Sequence, residues 1–257
     1  MTAEIQHPFS LAGKTILVAG GTRGIGRAIS IQFARAGAGV VANYLRNEKA
    51  AAELHASATN EGLEIALCRA DLTTDRGLEQ IERAVEAQSP VLSGLVYCAA
   101  TGVHRPLAEL SESHFDWTMN LNVRAFFRLS KRLLGRFEHS ASIVAVSSWG
   151  AVRALPDYAL VGASKAALES LARHLAVELA PRGTRVNVLT AGAVLTDAWN
   201  AIPGREARLA EAVRRTPGGQ LVSLEQIASA AQFLCSDASA GIVGHTLVVD
   251  GGAGIVG

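Results

Sequence analysis

The chain has 257 residues, 49% hydrophobic and 18% charged, with a formal net charge of +1. That length and apolar share suit one compact domain, since a single core grows to about 250 residues before a chain divides. The near-neutral balance, with Lys and Arg scattered, argues against the basic stripe of a nucleic-acid or membrane-surface protein, so no polyanion partner is expected.

Short apolar runs alternate with longer helix-like stretches. Thr15–Ala19, Gly39–Tyr44, Glu64–Arg69, Gly94–Ala99, Ser142–Ser147, Arg185–Leu189 and Thr246–Val249 read as buried strands. Periodic segments near 25–36, 48–60, 75–87, 113–135, 158–180 and 224–235 lie between them. Such alternation implies right-handed crossovers and a doubly wound parallel sheet with helices on both faces, a Rossmann-type α/β domain spanning 1–257. Residues 193–219 break the rhythm, with Pro203, Gly204, Pro217, Gly218 and Gly219 around a short helix. Trp199, Ile202 and Leu209 give that insertion apolar surface, which suits a lid over a binding site better than a solvated loop.

The three cysteines, Cys68, Cys98 and Cys235, are far apart, and no CxxC or HExxH spacing occurs. No metal site is expected, and the thiols read as reduced. The segment Met1–Pro8 lacks a basic region followed by an apolar stretch, and no apolar run nears the ~20 residues of a membrane helix. The expected location is the cytoplasm, with no membrane span. The histidines are dispersed, and none is assigned to chemistry.

The stretch Val18-Ala-Gly20-Gly-Thr22-Arg23-Gly24-Ile25-Gly26 follows the first strand and opens a helix. Glycines there allow a tight turn and close approach to a pyrophosphate, which the helix N-terminus favours. The spacing is GxxxGxG rather than GxGxxG, and a packing turn is the bland alternative. An acidic residue ending the second strand would bind the adenosine ribose hydroxyls of NAD. Asn43 stands there instead, with Arg46 beyond it and Arg23 inside the turn, a pattern that suits the 2′-phosphate of NADP. Asp71, beside Leu72 after the third strand, is placed either to accept from the adenine amino group or to cap the next helix.

Tyr158 precedes Lys165 by seven residues in Tyr158-Ala-Leu-Val-Gly-Ala-Ser-Lys165. With the glycine turn, Asp71, Asn122 in Met-Asn-Leu-Asn122-Val, Ser147-Ser148, Ala191-Gly192-Ala-Val194-Leu-Thr196 and Val249-Asp250-Gly251-Gly252, the chain resembles a short-chain dehydrogenase/reductase over essentially its whole length. In that family an asparagine, serine, tyrosine and lysine form a proton relay beside the nicotinamide. The resemblance assigns Asn122, Ser148, Tyr158 and Lys165 to catalysis. Lys165 would also bind the nicotinamide ribose, and Cys98, Ala99, Gly192, Val194 and Thr196 would line the cofactor.

There are departures. The usual Asn-Asn-Ala-Gly is Tyr97-Cys98-Ala99-Ala100, and the tyrosine is displaced from position 161, where Val161 stands. Tyr-x6-Lys resembles the NADPH-dependent enoyl-acyl-carrier-protein reductases of the superfamily, as do His114–Asn122, Tyr158–Leu179 and Thr216-Pro217-Gly-Gly. A physical reason is at hand. In enoyl thioester reduction hydride goes to the β-carbon while negative charge gathers on the thioester oxygen several bonds away, so a phenol there should stand farther from the hydride path. Pro156-Asp157 reads as a helix start, which would put Tyr158 in the first turn, two turns and ~10 Å along the axis from Lys165. At that distance Lys165 would lower the phenol's pKa only weakly. The roles of Ser148 and Asn122 stay open at this point. Trp149 would line the acyl pocket or belong to the core.

The resemblance implies an NADPH-dependent reductase of a 2-enoyl thioester, carried on acyl carrier protein or coenzyme A, in a homotetramer or dimer. A ketoreductase in which an altered helix start lets Tyr158 reach the carbonyl, or a non-catalytic NADP-binding sensor, are the alternatives.

Overall fold

The computed structural model describes residues 7–197 and 204–256. In chain order, β1 (Thr15–Ala19), β2 (Gly39–Tyr44), β3 (Ile65–Arg69), β4 (Leu92–Tyr97), β5 (Phe137–Ser148), β6 (Arg185–Ala191) and β7 (Thr246–Val249) form one sheet ordered β3-β2-β1-β4-β5-β6-β7. Every pairing is parallel. All residues of β4 and β6 are buried, the pattern of strands covered on both faces. One face packs on α3 (Asp75–Gln88), α5 (Ala125–Arg132) and α6 (Ala159–Leu179) through residues such as Leu95, Ile81, Phe126 and Leu168. The other packs on α1 (Gly24–Arg35), α2 (Glu48–Glu61) and α8 (Leu224–Cys235) through Val18, Phe33, Leu54 and Ile227. The chain order reverses between β1 and β4, so their carboxyl ends open the crevice where this fold binds ligands.

Four of the eight described α-helices, α2, α3, α8 and the one starting at Glu112, have their starts sealed by side chains. Asn47, Thr74 and Ser223 accept hydrogen bonds from the amides of Ala50, Gly77 and Gln226 at α2, α3 and α8. Arg23 at the start of α1 makes no such cap, and no acidic residue lies in that helix's first turn. The amides of α1 are left for an anion.

The helix expected over 113–135 is two helices. Between α4 (Glu112–Met119) and α5 lies a π-turn at Asn120–Arg124. Widening the turn releases a carbonyl from the ladder. The buried Tyr97 phenol donates to Leu121 O at 2.5 Å, which satisfies one such group.

The long helix near 158–180 is α6, and Tyr158 is its N-cap residue with φ −117° and ψ 11°, outside the first turn expected for it. Before it Asp157 takes φ +59°, a left-handed conformation rare for a residue with a side chain. Within 193–219 the short helix is α7 (Arg205–Arg215), none of whose residues is buried. Trp199, Ile202 and Pro203 lie outside the described residues, and Leu209 is half-buried. Among the described residues no helix is long and apolar enough to cross a membrane.

Candidate active site

The glycine turn sits against the end of β4. Gly20 has φ +76°, and a Cβ there would stand 2.9 Å from Ala99 N. A Cβ on Gly26 would overlap Gly20 O, so the turn and the first turn of α1 close on each other only without side chains. Thr22 is buried, Ile25 packs on the core, and Gly24 faces Thr196, whose Cγ2 would lie 3.5 Å from an added Cβ. A backbone cradle plus uncapped helix amides fits the pyrophosphate of a dinucleotide.

Asn43 does not face that cleft as a ligand. It is 2% exposed, its amide donates to Cys68 O at 3.2 Å and Ala70 O at 3.0 Å, and its oxygen accepts from Gly20 N at 3.4 Å. The side chain ties β2, β3 and the glycine turn together. Arg23 and Arg46 are exposed on either side and have no ion-pair partner among the described residues. Asp71 does not cap α3, since Thr74 does. Its Oδ1 accepts from Thr73 N at 2.9 Å and Thr73 Oγ1 at 2.7 Å, shaping the loop around buried Leu72. Gly192 packs against Asp250, whose Cβ would be 2.7 Å from a Cβ on the glycine, and Val194 is buried beside it in sequence.

At the reacting end the structure joins Ser148 and Tyr158, their hydroxyls 3.2 Å apart. The left-handed turn at Asp157 returns the displaced phenol to the serine at the end of β5. Burial pushes the phenol above its ordinary pKa, and the hydrogen bond to Ser148 opposes this only in part. The weak lowering expected from Lys165 is not among the influences on the phenol, and Tyr158 stays a protonated donor. Its ring lies over Gly150, where a Cβ would stand 2.5 Å from Tyr158 Cδ1, and under the imidazole of His104, with centroids 5.2 Å apart and planes at 29°. Val161, at the ordinary tyrosine position, is buried against Gly102.

Lys165 is buried, and its Nζ donates to Val146 O at 2.7 Å. Burial brings its pKa down to about 8, against smaller upward pulls from Cys98 and Glu169. Cys98 itself is pushed up to about 12 by burial and is no thiolate. Asn122 is fully buried in the π-turn. Its amide donates to Thr101 O at 2.9 Å and Ser164 Oγ at 2.8 Å, and its oxygen accepts from Thr101 N at 2.8 Å, locking the loop after β4 onto α6. Trp149 is half-buried and lies outside the wall of the pocket beside Tyr158. Its Nε1 donates to Asp250 Oδ2 at 3.0 Å, with Arg153 stacked 4.5 Å above the ring, holding the C-terminal turn.

A pocket of about 270 Å³ opens beside Tyr158, walled by Arg105, Leu107, Arg153, Leu155 and Ala159. Asp157, also in its wall, is paired with Arg208 of α7 at 2.6 Å. The sequence reading missed His104, Gly150 and Arg208. No periodicity or spacing flags them, because each meets Tyr158 or its turn from a different loop or helix.

A parallel sheet in this order, a glycine cradle under an uncapped helix, and a serine–tyrosine pair with a buried lysine define a dinucleotide-dependent α/β oxidoreductase. A family model described as "Enoyl-(Acyl carrier protein) reductase" matches residues 19–254, and the chain belongs to the short-chain dehydrogenase/reductase family, whose members bind NAD(P). It is 33% identical over 246 residues to a 1-cyclohexenylcarbonyl-CoA reductase from Streptomyces collinus, covering 93% of this chain and 86% of the relative. Among solved structures, a 7α-hydroxysteroid dehydrogenase with NADH and 7-oxo glycochenodeoxycholic acid superposes with TM-score 0.90 at 31% identity, covering 95% and 96% of the two chains. Enoyl-[acyl-carrier-protein] reductase (NADH) from Aquifex aeolicus superposes with TM-score 0.88 at 29% identity, covering 96% and 98%.

Proposed function

We propose that this protein reduces the C=C bond of a 2-enoyl thioester carried on coenzyme A or acyl carrier protein, using NADPH. The observation that carries the reading is the exchange at α6: buried Val161 one turn before Lys165, with the phenol moved to Tyr158. NADPH would supply hydride to the β-carbon. The protonated Tyr158 donates a hydrogen bond to the thioester oxygen as it gains charge, which stabilises the enolate without needing the phenol to ionise. Ser148 orients that phenol, and Lys165 keeps two Nζ donors beyond its bond to Val146 O for the cofactor's ribose. The family description and the enoyl thioester named for the Streptomyces relative support the reading. NADPH over NADH is supported by Arg23 and Arg46, with Asn43 spent inside the fold. Exposed Phe115, Trp117 and Phe127 on α4 and α5 suit a homo-oligomeric contact, as expected for a tetramer or dimer in the cytoplasm.

The second reading is carbonyl reduction, and one contact favours it: the serine–tyrosine pair that polarises a ketone is kept at 3.2 Å. The discriminating assay is NADPH oxidation with crotonyl and longer 2-enoyl thioesters, run beside acetoacetyl thioester and repeated with NADH. Reduction of acetoacetyl thioester with enoyl substrates ignored would overturn the enoyl reading.

A further inference from the structure

Reduction of an enoyl thioester adds hydride at the β-carbon and a proton at the α-carbon. The π-electron pair, held meanwhile on the enolate, forms the new C–H bond to that proton. The donor must face the substrate and recover its proton from solvent. Around Tyr158 the candidates are few. The phenol is kept protonated by burial and hydrogen-bonded to Ser148, and losing its proton would remove the enolate's partner. Lys165 is buried, donates to Val146 O, and on the proposed reading gives its two other Nζ donors to the cofactor's ribose. Arg105 and Arg153 on the pocket wall do not release protons near neutrality. Asp157 is paired with Arg208 at 2.6 Å.

His104 remains. Its imidazole stacks on the Tyr158 ring at 5.2 Å, is half-buried, and makes no hydrogen bond among the described residues. It is the side-chain type that exchanges protons near neutral pH. Resting on the enoyl reading, we propose that His104 is a further catalytic residue, giving its proton to the α-carbon of the enolate held by Tyr158 and regaining it from water. The charged groups facing it are Arg208 from α7 and Asp157 from the turn before α6. Burial first, then Arg208, lower its pKa, and Asp157 raises it.

The test uses the whole enzyme with a crotonyl thioester. His104→Phe keeps a ring over Tyr158 but cannot titrate, and His104→Gln keeps an N–H that cannot be recharged. Each should lower kcat about 100-fold, in the range of general acid catalysis, with KM for NADPH unchanged. In the wild type kcat should be full below the imidazole's pKa and fall as pH rises through it; in His104→Phe that fall should vanish. Arg208→Gln removes the cation that disfavours imidazolium and frees Asp157, so the fall should move to higher pH. His104→Phe with wild-type kcat overturns the proposal, as does a reduced kcat whose pH dependence stays that of the wild type. A wild type that turns over no enoyl thioester overturns the underlying reading and this proposal with it, and that control separates the two failures.

Discussion

Gly150→Ala is a sharp test of the site because it reaches the chemistry through one contact. Gly150 sits in the single tight turn Trp149–Ala151 after β5 and does not take a left-handed φ, so alanine suits its backbone. The added Cβ would stand 2.5 Å from Tyr158 Cδ1 and closer still to Cε1, with the nearest backbone atom, Gly162 Cα, at 3.4 Å. Ordinary carbon contacts lie at about 3.5–4.0 Å, so the phenol ring must move by about 1 Å. The hydroxyl pair with Ser148, at 3.2 Å, is already long for two hydroxyls, and a shift of that size breaks it or reorients it. A misplacement of about 1 Å costs on the order of 100-fold in rate, or about 2.7 kcal/mol of transition-state stabilisation. The half-buried ring yields toward the pocket, so the folding cost should stay within about 1 kcal/mol and the melting temperature within about 4 °C. Steady-state kcat on a crotonyl thioester, KM for NADPH and a melting curve make the measurement. Wild-type kcat in Gly150→Ala refutes the placement of the phenol on Gly150.

Two further outcomes follow from charge. The folded-state pKa of Lys165, about 8, lies below the ordinary 10.5, so between those values the unfolded chain binds more protons and stability rises with pH. Below about 8 the cost of burying the ammonium, up to about 3 kcal/mol, weighs fully on the fold. Lys165→Met should therefore melt no lower than wild type at pH 7 and lose that relative advantage by pH 10, while NADPH binding weakens; a melting point well below wild type at pH 7 refutes this. Arg46→Ala should raise KM for NADPH about 10- to 100-fold, as expected for one charge-assisted phosphate contact of about 1.5–3 kcal/mol, and leave KM for NADH nearly unchanged. Parallel changes with both cofactors would remove Arg46 from the 2′-phosphate.

Much of the fold was legible because burial on both faces turns each strand into a continuous apolar run. β1, β2 and β7 lie where the sequence places them, and the edges of β4, β5 and β6 move by a few residues. The π-turn was not legible. It is made by Tyr97 and Asn122 reaching across from β4 and into α6, and no periodicity within 113–135 encodes partners that distant. The inward placement of Asn43, counted among the cofactor-binding residues, was not legible for a related reason: a polar residue at a strand end looks the same in sequence whether it faces solvent or, as here, backbone groups of its neighbours. His104 gives no local signal at all. Its contact with Tyr158 exists only once the loop after β4 lies on the start of α6.

The displaced tyrosine carries two opposing arguments, and the backbone decides how they combine. Moving a phenol three positions toward the N-terminus of a regular helix would take it about 4.5 Å along the axis and away from Ser148. The left-handed Asp157 and the N-cap geometry of Tyr158 place the residue off the helix, and the side chain swings back to the serine. The site thus keeps the polarising hydroxyl pair while Val161 occupies the place nearer Lys165. A C=O substrate would need hydride acceptor and phenol to converge on one carbonyl, with no phenol at position 161 to meet it. A conjugated thioester separates hydride acceptor from oxygen by three bonds, and only its oxygen has to reach the Ser148–Tyr158 pair. On the proposed enoyl reading, Asp157, held by Arg208 from α7, is the backbone feature that sets Tyr158 for such a substrate.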